Sequence, residues 1–266
     1  MMNYTHILLD VSSRRERAAV CEYALLLARE HHAQVTAVNP GAPDVNNPSR
    51  AAARGVAAMD EFEALAQQYP DVAWRRFSAT GSWIDTIAQE GLYSDLILTR
   101  QFDPNDSPRY AGYDAPVNIA LLSGRPVLVV PRADRFSRVG SRVVLAWNAS
   151  AESARMVCAA LPLLVHARAV DIVIVTETPR RPGTVAPVTG DDIGSYLARH
   201  RVEASITTVA AGALEVSEVL LSVVADKGGD LLCMGAYGHA RLRKLVVGAT
   251  SRALMRNMMV PTLVAC

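Results

Sequence analysis

Apolar residues along this 266-residue chain fall into two alternating patterns. Short runs rich in Val, Ile and Leu end abruptly in a polar residue: HILLDVSS (6–13), VTAVNP (35–40), SDLILTR (94–100) and GRPVLVVP (124–131). Between them lie longer segments with helical spacing. In the first of these, Ala18, Cys21, Leu25 and Ala28 share one face, and Ser13 with Glu16 has the spacing of a capping box. A second helix is predicted over 51–69, a strand over 72–79 (VAWRRFSA), and a third helix after Gly81. Strands alternating with helices predict parallel pairing through right-handed crossovers. Near-continuous Val/Ile/Leu runs predict a sheet covered on both faces.

The pattern then repeats. HILLDVSS is echoed by VVLAWNAS (143–150), SDLILTR by GDLLCMG (229–235), and GRPVLVVP by MVPTLVAC (259–266). The offset is 138 from Asp10 to Asn148, and 135 both from Asp95 to Asp230 and from Pro126 to Pro261. Matching order at near-constant offset indicates duplication of one unit. The second copy supplies strands at 171–177 and 204–210, a helix at 191–200 and another after Gly212. The fold class that follows is α/β: two tandem sandwiches, each a mostly parallel sheet of about five strands. The polar link RADRFSRVGS (132–141) places the boundary near residue 137, giving domains 1–136 and 137–266. In such sheets ligands lie beyond the carboxyl ends of the strands, where strand order reverses. The search for a site narrows to the ends of strands one, two and four, and to the loop after strand four.

Composition removes several function classes. With 27 basic and 26 acidic residues the formal charge is +1, which leaves no electrostatic footprint for nucleic acid or an anionic membrane. The start, MMNYTHILLDVSS, lacks the basic lead and long apolar run of a signal peptide, and no apolar stretch is long enough to cross a membrane. Cys21, Cys158, Cys233 and Cys266 are scattered without CxxC spacing, so they read as reduced, largely buried thiols of a cytoplasmic protein.

The stretch MGAYGHARLRKLVVGATS (234–251) carries the most chemistry. Gly235 permits close backbone approach to a ligand, Gly238 a turn with positive φ, and Gly248 an open helix N-terminus. Unpaired amides and the helix dipole at such a terminus favour an anion. Thr250 and Ser251 add hydroxyl donors. An ordinary glycine turn followed by a threonine-capped helix has the same spacing. Neither GxxxxGK[ST] nor a GxGxxG after a strand occurs.

Glycine, two residues, glycine, nine residues, glycine, then a hydroxyl residue resembles the nucleotide motif of the universal stress protein family. The duplicated unit, Asn148-Ala149-Ser150 after strand one and the terminal VPTLVA resemble it too. The resemblance covers both halves and implies a tandem member, with two Rossmann-like sandwiches of the adenine nucleotide alpha hydrolase-like type packed as a pseudo-dimer. Pairing of the terminal strands VLVVP and TLVAC would form that pseudo-dimer; homodimerisation of whole chains is left open. The resemblance implies an ATP-binding regulator of the stress response rather than a metabolic enzyme, with Mg²⁺ as an optional companion. Ala146, Asn148 and Val175 would meet the adenosine. Gly235, Gly238, Gly248, Thr250 and Ser251 would meet the phosphates, with Met234 and Tyr237 between them. ATP would alter the surface of 235–250 that a protein partner reads. Two departures stand out. Ala249 follows the third glycine where ATP-binding members have a hydroxyl, and Asn148 stands where they usually have aspartate. A binding module with a vestigial pocket and a slow ATPase or phosphotransferase are the alternatives. The first half lacks the glycines: Leu98-Thr99-Arg100 leads into QFDPNDSPRYAGYDAP (101–116). That half is expected not to bind nucleotide through this motif, with Asp10 serving as a cap or structural acceptor.

Other candidates read as structural. Arg241, Arg243 and Lys244 suit a solvated loop face, and His239 a surface or packing role. Asp191 and Asp192, with Thr189 at capping-box spacing, mark a helix entry. His31 and His32 end the first helix, where cations favour the dipole. Trp74, Trp83 and Trp147 suit core or pocket walls. The sequence shows neither a nucleophile elbow nor a metal-ligand cluster, and a hydrolytic base cannot be named.

Overall fold

The computed structural model describes residues 2–12, 17–40, 48–78, 82–104, 112–132, 140–176, 190–236 and 248–266. It divides into two compact units, Asn3–Ser137 and Arg138–Cys266. The first unit contains strands β1 (His6–Asp10), β2 (Gln34–Asn39), β3 (Trp74–Ser78), β4 (Leu96–Arg100) and β5 (Val127–Val130). Its helices are α1 (Arg17–His31), α2 (Pro48–Ala66), α3 (Trp83–Gly91) and α4 (Ala115–Ser123). The second unit repeats the order with β6 (Arg142–Ala146), α5 (Ala151–Leu164), β7 (Ala169–Thr176), α6 (Asp191–Arg199) and β8 (Ala204–Ala210). It continues with α7 (Val216–Asp226), β9 (Leu231–Gly235), α8 (Ala249–Asn257) and β10 (Thr262–Ala265).

Within the first unit the strands run in the order β3-β2-β1-β4-β5, and within the second β8-β7-β6-β9-β10. All pairings inside each unit are parallel. Central strands are buried throughout: Ile7, Leu8 and Leu9 of β1, all five residues of β4, and Val143, Val144 and Leu145 of β6. The edge strands depart from the both-faces-covered expectation. In β3 every residue after Trp74 is exposed, and β8 is largely exposed. Position explains the difference, because an edge strand has one neighbour and carries charge that deters further pairing. Arg76 of β3 bonds Glu63 of α2 at 3.2 Å, and Arg75 donates from Nε to the buried Thr36 hydroxyl at 2.8 Å.

The echo of Asp95 by Asp230 has a structural cause. Asp95 Oδ2 accepts from Thr5 N at 2.7 Å, Thr5 Oγ1 at 2.6 Å and His6 N at 3.0 Å, fastening the start of β1 to the start of β4. Asp230 does the same for β6, accepting from Gly140 N, Ser141 N and Arg142 N at 3.2, 3.1 and 2.9 Å. Replacing either aspartate with alanine removes one acceptor from three donors. The expected loss is about 2 kcal/mol for each, by the usual cost of orphaning donors to a charged acceptor, read from urea unfolding.

Two carboxylates also make stability pH-dependent. Burial works against the charge of Asp95, yet the Thr5 and His6 hydrogen bonds and Arg125 hold its carboxyl below the ordinary value. Burial likewise opposes the charge of Asp171, but hydrogen bonds from Ser205 and Lys227, with the charges of Lys227 and Arg142, prevail and lower it. A depressed folded value gives stability that is full above the unfolded value near 4 and is lost as pH falls through the folded one. Unfolding free energy is therefore expected to decline below about pH 4, and Asp171→Asn to flatten that decline in acid titrations followed by circular dichroism.

Of the sequence expectations at helix ends, Ser13, Glu16, Gly81 and Thr189 lie outside the described residues. Asp191 and Asp192 do occupy the first turn of α6, whose N-cap is Gly190. His31 ends α1 but is buried, its ring tilted 45° against that of Tyr4 with centroids 5.0 Å apart, and so packs rather than meeting solvent. His32 takes positive φ as the chain leaves the helix. Cys21 and Cys233 are buried, Cys266 is partly so, and Cys158 is exposed, against the expectation of a mostly buried set. Burial pushes the Cys21 thiol up to about 12.

Candidate functional site

In the second unit, strand order reverses between β6 and β9, so the crevice lies beyond Ala146 and Gly235. Parallel register sets the carboxyl ends of the strands on one edge. Ala146 pairs with Val173 of β7, which puts Val175 two residues beyond, and Gly235 pairs with Ala265 of β10. Helix α8 connects β9 to the parallel β10, so it runs back along the sheet and its N-terminus sits at that same edge. This brings Ala146, Asn148, Val175, Met234, Gly235, Gly248, Ala249, Thr250 and Ser251 to one end of the sheet. Tyr237, Gly238, His239, Arg241, Arg243 and Lys244 lie outside the described residues.

The α8 terminus has the features of an anion site. Gly248 is its N-cap, with φ −58° and ψ 148°, and offers no side-chain acceptor to the first-turn amides. A Cβ at Gly248 would meet nothing within 4 Å. Gly248 and Ala249 are exposed, Thr250 is half-buried and Ser251 is buried. Val175 and Ala146 are half-buried and Met234 is buried, which suits an apolar wall.

Two of the candidate residues also have local structural roles. On the side where a Cβ would stand, Gly235 faces protein. A Cβ there would lie 2.5 Å from Ser153 N, 2.6 Å from Glu152 C and 2.9 Å from Glu152 O. The glycine lets the end of β9 pass against the first turn of α5. Asn148, expected to meet ribose, uses its Oδ1 locally: it accepts from Ser150 N at 3.2 Å across Ala149, whose φ is 56°. Ser150 then caps α5 reciprocally with Ser153. Asn148 thus shapes the turn that ends at the crevice.

The first unit's equivalent edge is built differently. Asp10 is buried; its Oδ1 accepts from Ser12 N at 2.9 Å, matching Asn148, and its Oδ2 accepts from Trp83 Nε1 at 2.9 Å and Thr99 Oγ1 at 3.3 Å. The expected acceptor role is what the geometry displays. Burial raises the Asp10 carboxyl above its ordinary value, and these hydrogen bonds offset the rise only in part. Where the second unit has Met234 and Gly235, this one has Thr99 and Arg100, both buried in β4. Arg100 borders a cleft of about 40 Å³ that is also lined by Asp10, Trp83, Gln101, Asp103 and Pro116 among others. Sequence reasoning named Trp83 as a core or pocket wall but missed Thr99 and Arg100. Two polar residues closing a buried apolar strand were the available signal.

Comparison with known proteins resolves the second unit. Residues 141–265 match the model of the Universal stress protein family. They form a universal stress protein domain. A curated relative, Universal stress protein Slr1230 of Synechocystis sp., is 28% identical over 147 residues, covering 52% of this chain. The chain matches about half, 46%, of that relative's length. A universal stress protein of Archaeoglobus fulgidus has a similar fold across nearly the whole chain, with TM-score 0.70, 14% identity and coverage of 98% of this chain and 95% of its own. Protein PA1789 of Pseudomonas aeruginosa PAO1, whose function is described as unknown, overlays 98% of this chain and 92% of its own at TM-score 0.63 and 13% identity. The stress-protein domain therefore includes all eleven candidate residues, and the α/β fold extends over both units. Among the described residues, no helix is long and apolar enough to cross a membrane.

Proposed function

We propose that the stress-protein domain binds an adenine nucleotide, ATP in the first instance, at the end of its sheet, and that the chain acts as a cytoplasmic regulator whose nucleotide state a protein partner reads. The observation carrying this reading is the uncapped, exposed N-terminus of α8 at the β6/β9 reversal, in register with the G-x2-G-x9-G spacing. First-turn amides, Thr250 and the helix dipole supply phosphate contacts there. Ala146, Val175 and Met234 suit the adenosine side. With its Oδ1 turned to Ser150, Asn148 keeps an amide donor for a ribose hydroxyl but no carboxylate for Mg²⁺, so a metal would arrive on the phosphates. Gly235 acts in this reading as a spacer for α5. Residues 1–136 form a second domain of the same family that has lost the motif, and 137–266 the nucleotide-binding one.

Calorimetry with Mg-ATP tests the reading. One saturable site per chain supports it; no heat up to millimolar ligand rejects it and favours an interaction module with a vestigial pocket. Ala249 is the observation on that module's side. Its side chain is exposed at the first position of α8. Ala249→Ser is expected to tighten ATP roughly tenfold, the lower range for one hydrogen bond to a charged group, and titration of both proteins reads it directly.

A further inference from the structure

Strands β3 and β8 each end the strand order of their unit, and only β3 is guarded by charge. Its sequence, WRRFS, puts Arg75 and Arg76 on the edge, and self-pairing centred on Arg76 would set that arginine against its own copy. Strand β8 reads ASITTVA and is largely exposed, with neither charge nor proline. Its run of β-branched residues, Ile206 to Val209, suits extended pairing, and Ile206 is 41% exposed. An uncharged edge of this kind is a template for another strand.

The phase of its backbone is fixed by β7. Ala211 N donates to Thr176 O at 2.9 Å, and Val209 O accepts from the Thr176 hydroxyl at 3.4 Å. The odd-numbered residues therefore turn their backbone groups toward β7. Alternation along the strand turns the amides and carbonyls of Ala204, Ile206, Thr208 and Ala210 outward. A strand added antiparallel must bond through these four.

We propose that β8 pairs antiparallel with β8 of a second copy of this chain, with the two-fold axis at Thr207. The sequence about that residue is nearly palindromic: Ala204 meets Ala210, Ser205 meets Val209, Ile206 meets Thr208 and Thr207 meets itself. The register sets outward backbone groups against outward ones and allows about eight hydrogen bonds, two for each pair of the bonded kind. Thr207 falls on a pair without backbone bonds, where side chains come closest, and threonine opposite threonine is a favourable cross-strand pair. Glu203, the charge just before the strand, falls opposite Ala211, so no like charges meet. Seven residues a side falls short of the roughly 20–30 of a standard interface, so the dimer is expected to be weak, with a Kd of about 100 µM. The surface stands apart from the proposed nucleotide site and does not depend on it.

Sedimentation equilibrium of the full chain, with circular dichroism to confirm folding of each variant, tests the pairing. Thr208→Pro removes an outward amide but no bond of the β7–β8 ladder, and is expected to weaken dimerisation at least tenfold. Thr207→Lys and Thr207→Glu each set like charges face to face, and each is expected to weaken it by a similar factor. An equimolar mixture of those two is expected to dimerise again, because lysine then meets glutamate. That recovery depends on the register, so it decides the question even if Thr208→Pro does not fold. A wild-type chain that stays monomeric up to about 1 mM, the weakest association worth the name, overturns the proposal, whether the edge then takes a strand of another protein or none. So does assembly that the folded variants leave unchanged, or a mixture that associates no better than its components.

Discussion

Gly235→Ala is expected to destabilise the stress-protein domain by about 3 kcal/mol, the upper range for forcing atoms into a filled space. The added methyl would sit within 3 Å of three backbone atoms of Glu152 and Ser153. Backbone in the first turn of a capped helix cannot rotate aside as a side chain can. Ser150 and Ser153 hold that turn reciprocally, so relief requires moving α5 as a whole. Helix α5 packs on both β9 and β10, and its shift would disturb the buried Met156, Val157 and Ala160. Urea unfolding followed at Trp147, four residues before α5, would report the change, because the other two tryptophans belong to the first unit. Unchanged stability in Gly235→Ala would mean that β9 and α5 do not approach as described.

That glycine shows where sequence stops informing structure. The duplicated strands and the α6 entry at Asp191 and Asp192 are written in local composition and spacing. The Asp95/Asp230 echo was visible as an offset, and its cause is regular: each carboxylate fastens the start of the unit's first strand. Gly235 also stood out, but its partner is 82 residues away in α5, and nothing near it in the sequence says whether the missing side chain makes room for a ligand or for protein. Asp10 and Asn148 were aligned correctly, and both accept an amide two residues on. What separates them is tertiary: Asp10 is buried under Trp83 and Thr99, whereas Asn148 is exposed. Arg100 was read as a lost glycine, since one position in a pattern cannot reveal that its replacement closes a cleft.

Gly248→Asp is expected to move affinity and stability in opposite directions. The N-cap backbone, at φ −58° and ψ 148°, is one that aspartate adopts readily. Space around the missing Cβ is open, so no clash arises. The new carboxylate would accept from the first-turn amides of α8 and add a negative charge at the positive end of the helix, leaving stability equal or higher by a few tenths of a kcal/mol. Those amides are the donors proposed for the nucleotide phosphates, and the carboxylate would both occupy them and repel the ligand. Losing charge-assisted hydrogen bonds worth about 1.5–3 kcal/mol, with repulsion added, corresponds to roughly a 100-fold weaker Kd for Mg-ATP. Gly248→Asn separates the two effects, since it competes for the amides without charge; an intermediate loss of about tenfold is expected, half the aspartate effect on the logarithmic scale. Calorimetry paired with urea unfolding measures both quantities on the same samples. ATP affinity within twofold of wild type in Gly248→Asp would remove the α8 terminus from the phosphate site, whatever binds elsewhere on the domain.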